Sequence, residues 1–165
     1  MRVLFVTNTF LPNYTGGAEG SLYHTCRGLM RDEVACSVLH VNNRRDKTKE
    51  DWYDVDGIPV HRAQFHTRWP WQEVVDRRII QAVRREIRAW QPDNVHVHNV
   101  SGASLAPFIA GRLEGASVVG TLHDHWLLCP NNMLYRRDGT ICDPGAHPNG
   151  CGQCLRRYEY WGVIP

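Results

Sequence analysis

The chain has 165 residues, of which 42% are hydrophobic and 22% charged, and its formal net charge is +2. This length fits one domain with a genuine core, and the ordinary composition excludes a disordered or fibrous chain. So small a charge gives no indication of a nucleic-acid partner, and no apolar run approaches the ~20 residues that a membrane-spanning helix needs. The N-terminus is typical of a strand rather than of a secretion signal, which predicts a cytoplasmic protein.

The first predicted element is a buried strand over Val3–Val6, followed by a loop over residues 8–15 and a helix over residues 16–30. Continuous apolar runs of this kind are typical of strands buried on both faces of a parallel sheet. The helix begins at Gly16 and Gly17, where bare backbone N–H groups and the helix dipole favour an anion. Because the two glycines are adjacent rather than spaced as G-x-G-x-x-G, we expect no nicotinamide or flavin site.

The remaining predicted elements alternate between strands and helices. A strand over residues 34–41 precedes a polar surface loop over 42–56, and residues 58–62, interrupted by Pro59, predict an edge strand. The clearest helix is predicted over 71–90, followed by a strand over 94–98, a helix over 101–113 and a strand over 117–122. This order predicts an α/β fold with a mainly parallel sheet.

Polar residues concentrate directly after three of the predicted strands, where open parallel sheets bind their ligands. They are residues 8–19 after the first strand, His98 and Asn99 after a later one, and His123, Asp124 and His125 after the last. Each group by itself is explained by hydrogen bonds from its side chains to neighbouring backbone atoms. Three such groups at one edge of the sheet, however, favour a ligand-binding cleft.

The chain resembles the N-terminal half of a retaining GT-B glycosyltransferase of family 4. The resemblance depends on the opening strand with its Gly16-Gly17-Ala18-Glu19 helix start, the strand over residues 92–99, the Thr121-Leu122-His123-Asp124 strand end, and their order. It covers nearly the whole chain. It implies a Rossmann-like sheet with helices on both faces, in an enzyme that moves a sugar from a nucleotide-sugar donor to an acceptor with retention of configuration.

The resemblance also implies roles for individual residues. Gly16 and Gly17 are expected to approach the donor diphosphate, and His123 to contact the transferred sugar as the catalytic residue. The N-terminal half of such enzymes mainly selects the acceptor, so we expect acceptor contacts from residues at the strand ends: Asn8, Tyr14, Glu19, His98, Asn99 and Asp124.

The C-terminal half of such enzymes holds most of the nucleotide and a pair of glutamates, and neither occurs within these 165 residues. We therefore expect residues 1–165 to form the N-terminal, acceptor-side domain of a longer enzyme, inactive without its C-terminal donor domain. The alternative is a non-catalytic, zinc-stabilised α/β binding module.

A glycine- and proline-rich segment over residues 123–157 contains four of the six cysteines: Cys129, Cys142, Cys151 and Cys154. A predicted hairpin with its turn at residues 137–140 would return Cys142 beside Cys129. Four thiolates suit a closed, tetrahedral structural zinc site, and free thiols, disulfides and an iron–sulfur cluster are the open alternatives. The two remaining cysteines of the chain, Cys26 and Cys36, are expected to be small core residues.

The predicted helix over residues 71–90 carries five arginines away from its apolar stripe: Arg77, Arg78, Arg84, Arg85 and Arg88. We expect these arginines to form the solvent-exposed face of a helix that packs against the core. The alternative is that they contact an anionic membrane surface.

Overall fold

The computed structural model describes residues 1–12, 16–44, 48–66, 74–99, 103–129, 133–136 and 139–143, with the backbone alone at residues 43 and 44. Residues 1–121 form one compact unit and residues 122–165 form a second. Three of the predicted site residues, Tyr14, Cys151 and Cys154, lie outside the described residues.

The described part of the first unit is a six-stranded sheet with three helices. In chain order its elements are β1 (Arg2–Thr7), α1 (Gly17–Arg31), β2 (Ala35–Arg44), β3 (Lys49–Val55), β4 (Ile58–His66), α2 (Arg77–Trp90), β5 (Asn94–Val97), α3 (Ala106–Leu113) and β6 (Ser117–Gly120). The strand order is β3-β4-β2-β1-β5-β6, and every neighbouring pair is parallel except β3 and β4. The predicted α/β fold with a mainly parallel, Rossmann-like sheet is therefore confirmed.

Helices cover both faces of the sheet. On one face, Val3 and Phe5 of β1 lie in a buried cluster with Leu22 and Cys26 of α1 and with alternate residues of β2 and β4. Because side chains alternate along a strand, the residues between them point to the other face, which α2 and α3 cover. Cys26 and Cys36 are both buried, as expected of core residues.

The prediction of a surface loop over residues 42–56 was wrong, because this stretch includes the end of β2 and all of β3. β3 pairs antiparallel with β4, from Val55 opposite Ile58 to Lys49 opposite Gln64. It is mainly polar and partly exposed, so its composition resembles that of a loop. The turn into β4 has positive φ angles at Asp56 (50°) and Gly57 (85°), as in the two-residue hairpins that Asp-Gly favours. The Asp56-Gly57 dipeptide was therefore the feature of the sequence that could have predicted the β3–β4 hairpin.

The prediction of an edge strand over residues 58–62 was also wrong. β4 runs to His66 and lies between β3 and β2. Pairing with β2 begins at Val60, opposite Val38. Pro59 therefore precedes the first pair with β2, a position at which a strand tolerates the missing N–H.

Two helices begin later than predicted. The Asp76 carboxylate accepts a hydrogen bond from the Arg78 N–H at 2.8 Å and caps α2, so this helix begins at Arg77 rather than at residue 71. Val74 and Val75 are exposed and precede the helix. Similarly, α3 begins at Ala106 rather than at residue 101.

The second unit contains the predicted hairpin. Tyr135 and Ile141 form an antiparallel bridge. The Arg136 N–H donates to the Thr140 carbonyl oxygen at 2.9 Å, and the Cys142 N–H donates to the Leu134 carbonyl oxygen at 2.7 Å. These bonds confirm a hairpin that ends at Cys142.

We expect Gly111→Ala in α3 to destabilise the first unit and Gly28→Ala in α1 to leave it intact. A Cβ at position 111 would overlap Val118 Cγ2, whereas a Cβ at position 28 would meet no atom of the described residues within 4 Å. Overpacking costs about 1–3 kcal/mol, and alanine gains about 0.5–1 kcal/mol over glycine in an open helix interior. Urea unfolding measures both free energies. Equal unfolding midpoints for the two variants would contradict the close packing of α3 on β6.

Candidate functional site

The face of the sheet that α1 covers changes from apolar to polar along its strands. Near the amino ends of the strands it carries core residues such as Val3, Phe5 and Val38. Towards the carboxyl ends, the two-residue period of a strand places polar side chains on the same face. We call six of these side chains the polar band: Thr7, His40, Asn42, Gln64, His96 and His98. All except His96 are less than a tenth exposed.

The band is continuous across β1, β2 and β4. Thr7 lies opposite His40, and Asn42 lies opposite Gln64. The amide nitrogen of Asn42 donates to the backbone carbonyl oxygen of Asn8, which ties the end of β2 to the loop after β1. Within the described part of the chain, the buried side-chain oxygens of Asn8 and Asn42 accept no hydrogen bond. Since buried polar atoms are normally paired, these two oxygens are suited to accept from a ligand hydroxyl.

Aromatic contacts continue the band onto β5. The Phe5 ring centroid lies 5.3 Å from that of His96 and 5.6 Å from that of His98. His96 Nε2 is 2.8 Å from the hydroxyl of Thr121, just after β6. The His98 N–H donates to the Val6 carbonyl oxygen at 2.9 Å, which extends the pairing of β1 with β5. The histidines are therefore held rigidly at the carboxyl edge of the sheet.

The start of α1 provides backbone donors in the connection that follows β1. The Gly16 N–H donates to the buried Glu19 carboxylate at 3.0 Å. Gly16 has no side chain with which to cap the helix, so among the described residues only the Glu19 carboxylate caps this end, through the Gly16 N–H. The first-turn N–H groups therefore lie at the positive end of the helix dipole without intrahelical acceptors. A Cβ at Gly17 would meet no atom of the described residues within 4 Å.

The predicted site residues are distributed over both units. Four of them belong to the first unit: Asn8, Glu19, His98 and Asn99. Glu19 and His98 are buried, and Asn8 and Asn99 are half-buried. Their roles in acceptor binding stay predictions, as does the contact of Gly16 and Gly17 with a diphosphate.

His123 and Asp124 belong to the second unit. His123 is exposed, and the Asp124 carboxylate accepts the Trp126 N–H at 2.9 Å, which makes Asp124 part of a local turn. The roles of both residues, and a crevice that they share with the start of α1, stay predictions.

Sequence reasoning missed five of the six members of the polar band: Thr7, His40, Asn42, Gln64 and His96. The predicted second strand ended at residue 41, and the predicted edge strand ended at residue 62. The available signal was the alternation of Cys36, Val38, His40 and Asn42, which continues the strand into polar residues.

Four of the five arginines on α2 form ion pairs within the first unit. They are Arg84 and Arg88 with Glu114, Arg85 with Glu50, and Arg78 with Asp76. Hydrogen bonds from Arg88 and Arg84 hold the pKa of Glu114 at about 2. These pairs favour the solvated face of a core helix, and membrane contact stays a prediction. Among the described helices, none has the length and apolar character needed to cross a membrane.

Two of the four clustered cysteines, Cys129 and Cys142, are described, and neither forms a disulfide bond with another described cysteine. The Cys129 N–H donates to the His125 carbonyl oxygen at 2.7 Å, and Cys142 ends the hairpin. No group of three or more side chains able to hold a metal occurs among the described residues. The two remaining thiols, Cys151 and Cys154, lie outside them, so zinc binding stays a prediction.

An open, mainly parallel sheet with helices on both faces defines a Rossmann-like α/β domain. The family model described as Glycosyltransferase Family 4 matches residues 15–147. The chain therefore belongs to glycosyltransferase family 4, which confirms the resemblance seen in its motifs.

The chain is also similar to an "Uncharacterized 42.6 kDa protein in cps region" of Klebsiella pneumoniae, with 24% identity over 149 residues. The match covers 82% of this chain and 40% of the relative. The chain thus spans about two fifths of the length of that relative.

Proposed function

We propose that this chain is the N-terminal, acceptor-side domain of a retaining glycosyltransferase that uses a nucleotide-sugar donor. Its membership of family 4 supports sugar transfer at the coarse level. The observation that carries the assignment of the site is the buried polar band at the carboxyl edge of the sheet. The greater length of the Klebsiella relative supports a second, donor-binding domain in the whole protein.

The start of α1 suits the donor side of the reaction. When the sugar leaves, negative charge develops on the nucleotide diphosphate, and fixed N–H donors stabilise that charge without reorganising. Gly16 and Gly17 have no side chains to hold the diphosphate away from these donors. In this proposal, His123 donates a hydrogen bond to the transferred sugar near its reacting carbon.

The polar band suits the acceptor side of the reaction. Sugars present many hydroxyl groups, and a site whose buried polar atoms pair with those hydroxyls rejects ligands that lack them. The side-chain oxygens of Asn8 and Asn42 provide such acceptors. We therefore add Asn42 to the predicted acceptor-binding residues of the first unit: Asn8, Glu19, His98 and Asn99.

We expect inorganic pyrophosphate to shift the backbone amide resonances of Gly17 and Ala18 in the 165-residue chain, with an affinity on the order of 1 mM. Gly17→Ala should weaken this binding about three- to tenfold, because its methyl group enters the open space over the helix start. Titrations followed by 15N-resolved NMR measure both effects.

The matched control for this titration is Gly20→Ala, one turn further along α1. A Cβ at position 20 also meets none of the described atoms within 4 Å, so both variants are expected to fold, and only the first is expected to obstruct the helix start. Equal pyrophosphate affinities in the two variants, or unshifted Gly17 and Ala18 amides in the wild type, would contradict an anion site.

We expect the 165-residue chain to transfer no sugar, because the proposed donor domain is missing. Product formation from a panel of nucleotide sugars, measured by mass spectrometry, tests this, and transfer by the chain alone would refute it. The gene sequence beyond codon 165 separates the two function hypotheses. A second Rossmann-like domain with paired glutamates supports the transferase, and a stop codon supports the non-catalytic binding module.

We also propose that Cys129, Cys142, Cys151 and Cys154 hold a structural zinc ion. Four thiolates would leave a zinc ion no open position for catalysis, so its contribution would be to stabilise a loop-rich segment. We expect about one zinc per chain in protein purified without chelator, as is usual for such sites. Cys129→Ser and Cys142→Ser should each lower the zinc content.

The control for the zinc measurement is Cys26→Ala, which changes a thiol buried in the core of the first unit. Atomic absorption on the three variants and the wild type gives the zinc content. Zinc-free wild-type protein with free thiols, or full zinc content in both serine variants, would remove the zinc proposal.

A further inference from the structure

Trp52 of β3 presents its indole ring to solvent. It is 69% exposed, whereas Trp90 and Trp126 are half-buried. One face of the indole lies against the imidazole of His61, its register partner on β4, with ring centroids 4.4 Å apart and ring planes 9° from parallel. Because the ring is largely exposed although one face is stacked, its opposite face is the surface that a ligand can cover.

The imidazole beneath the indole is held in place. The side chain of His61 is buried, with its Nδ1 2.8 Å from the Glu86 carboxylate of α2 and its Nε2 3.1 Å from the Glu50 carboxylate of β3. A ring with a partner at each nitrogen has little freedom to rotate, so Trp52 stacks on a fixed support. A surface that is ordered before binding loses less conformational entropy when a ligand arrives.

Charged side chains lie beside the exposed indole. Because side chains alternate along a strand, Glu50, Trp52 and Asp54 project from the same face of β3, and all three are exposed. Arg85 of α2 pairs with Glu50, and the side chains of Arg85 and Glu50 are 58% and 44% exposed. The surroundings of the indole therefore provide hydrogen-bond donors and acceptors that a ligand can reach.

This combination favours a neutral saccharide. A pyranose with equatorial hydroxyls has flat C–H faces that can pack on an aromatic ring, and its outward hydroxyls can bond to carboxylates and to a guanidinium. A phosphate-bearing ligand suits the surface poorly. The Arg85 cation is already paired with Glu50, and the carboxylates of Asp54 and Glu86 would repel a phosphate.

The Trp52 surface is separate from the polar band. His61 contacts α2 through Glu86, whereas the polar band lies on the face that α1 covers. Gln64 of the band follows His61 by three residues on β4, and residues an odd number apart on a strand point to opposite faces. A sugar stacked on Trp52 would therefore not occupy the proposed acceptor site.

We propose that Trp52, Glu50 and Arg85 form an auxiliary saccharide-binding platform, which takes one pyranose unit of the glucose type on the exposed indole face. Glu50 accepts hydrogen bonds from its hydroxyls, and Arg85 donates to them. In a further step, which rests on the proposed function, the platform retains an oligosaccharide acceptor or product through a unit that does not react. Such a second contact raises the effective concentration of the saccharide near the enzyme.

The test is a titration of the 165-residue chain with cellotetraose, followed by 15N-resolved NMR. We expect the indole N–H resonance of Trp52 to shift with a dissociation constant of about 1–10 mM, while that of Trp90, whose ring Arg2 already covers, stays in place. Sorbitol is the control ligand, because it has similar hydroxyls but no ring face. An unshifted Trp52 resonance, or equal shifts with sorbitol, would overturn the platform.

Two variants separate stacking from other effects. Trp52→Phe keeps an aromatic face and should bind cellotetraose within about threefold of the wild type, whereas Trp52→Ala should weaken binding about fivefold or more. Both should leave the pyrophosphate titration at Gly17 unchanged, which shows that the fold is intact. Equal affinities of Trp52→Ala and the wild type would refute the proposal, and the wild-type titration decides it if Trp52→Ala does not fold.

Two further outcomes would also refute the platform. Shifts at the Asn42 amide without a shift at the Trp52 indole would place the sugar in the polar band alone, which leaves the proposed acceptor site standing. A Trp52 indole that shifts with protein concentration in the absence of sugar, together with a doubled mass in sedimentation, would assign this surface to a second copy of the chain. Conversely, a shift at Trp52 alone supports the platform without supporting the proposed acceptor site.

Discussion

The parallel alignment of β1, β2, β4 and β5 is the constraint on which the rest of the first unit depends. It brings the carboxyl ends of these strands to one edge, and the strand period places residues of the same face side by side. On the α1 face, the amino halves of the strands therefore build an apolar core, and the carboxyl halves build the polar band. A slip of one residue in any pair would exchange the two faces of that strand and disrupt both regions at once.

The polar band also has a thermodynamic meaning. Each buried polar atom without a partner costs about 1–3 kcal/mol, so a sheet edge selected only for stability would be apolar. The core beneath the band, with Phe5, Leu22 and Val38 fully buried, provides the stability that makes such an edge tolerable. Its position at the carboxyl edge is where open α/β sheets bind ligands. Membership of glycosyltransferase family 4 agrees with an open, mainly parallel α/β sheet of this kind.

The two faces of the sheet are held to their helices by different forces. α1 packs through apolar contacts with β1, β2 and β4. α2 adds charged contacts at its periphery, where Arg84 and Arg88 reach Glu114 at the end of α3, and Glu86 reaches His61.

The sequence by itself determined the α/β class, the glycine-led start of α1, the family resemblance and the groups of polar residues after the strands. These features are local: apolar runs, glycine pairs and strand-end motifs are visible within a few neighbouring residues. Only the tertiary structure decided that the polar stretch over residues 49–55 is a strand, that β4 lies inside the sheet, and that Asn42 and Gln64 face α1. It alone joined His61 to Glu50 and Glu86, which lie 11 and 25 residues away in the chain. The physical reason is that strand pairing and buried ion pairs are formed between distant segments, so a residue's own neighbours do not reveal its partner.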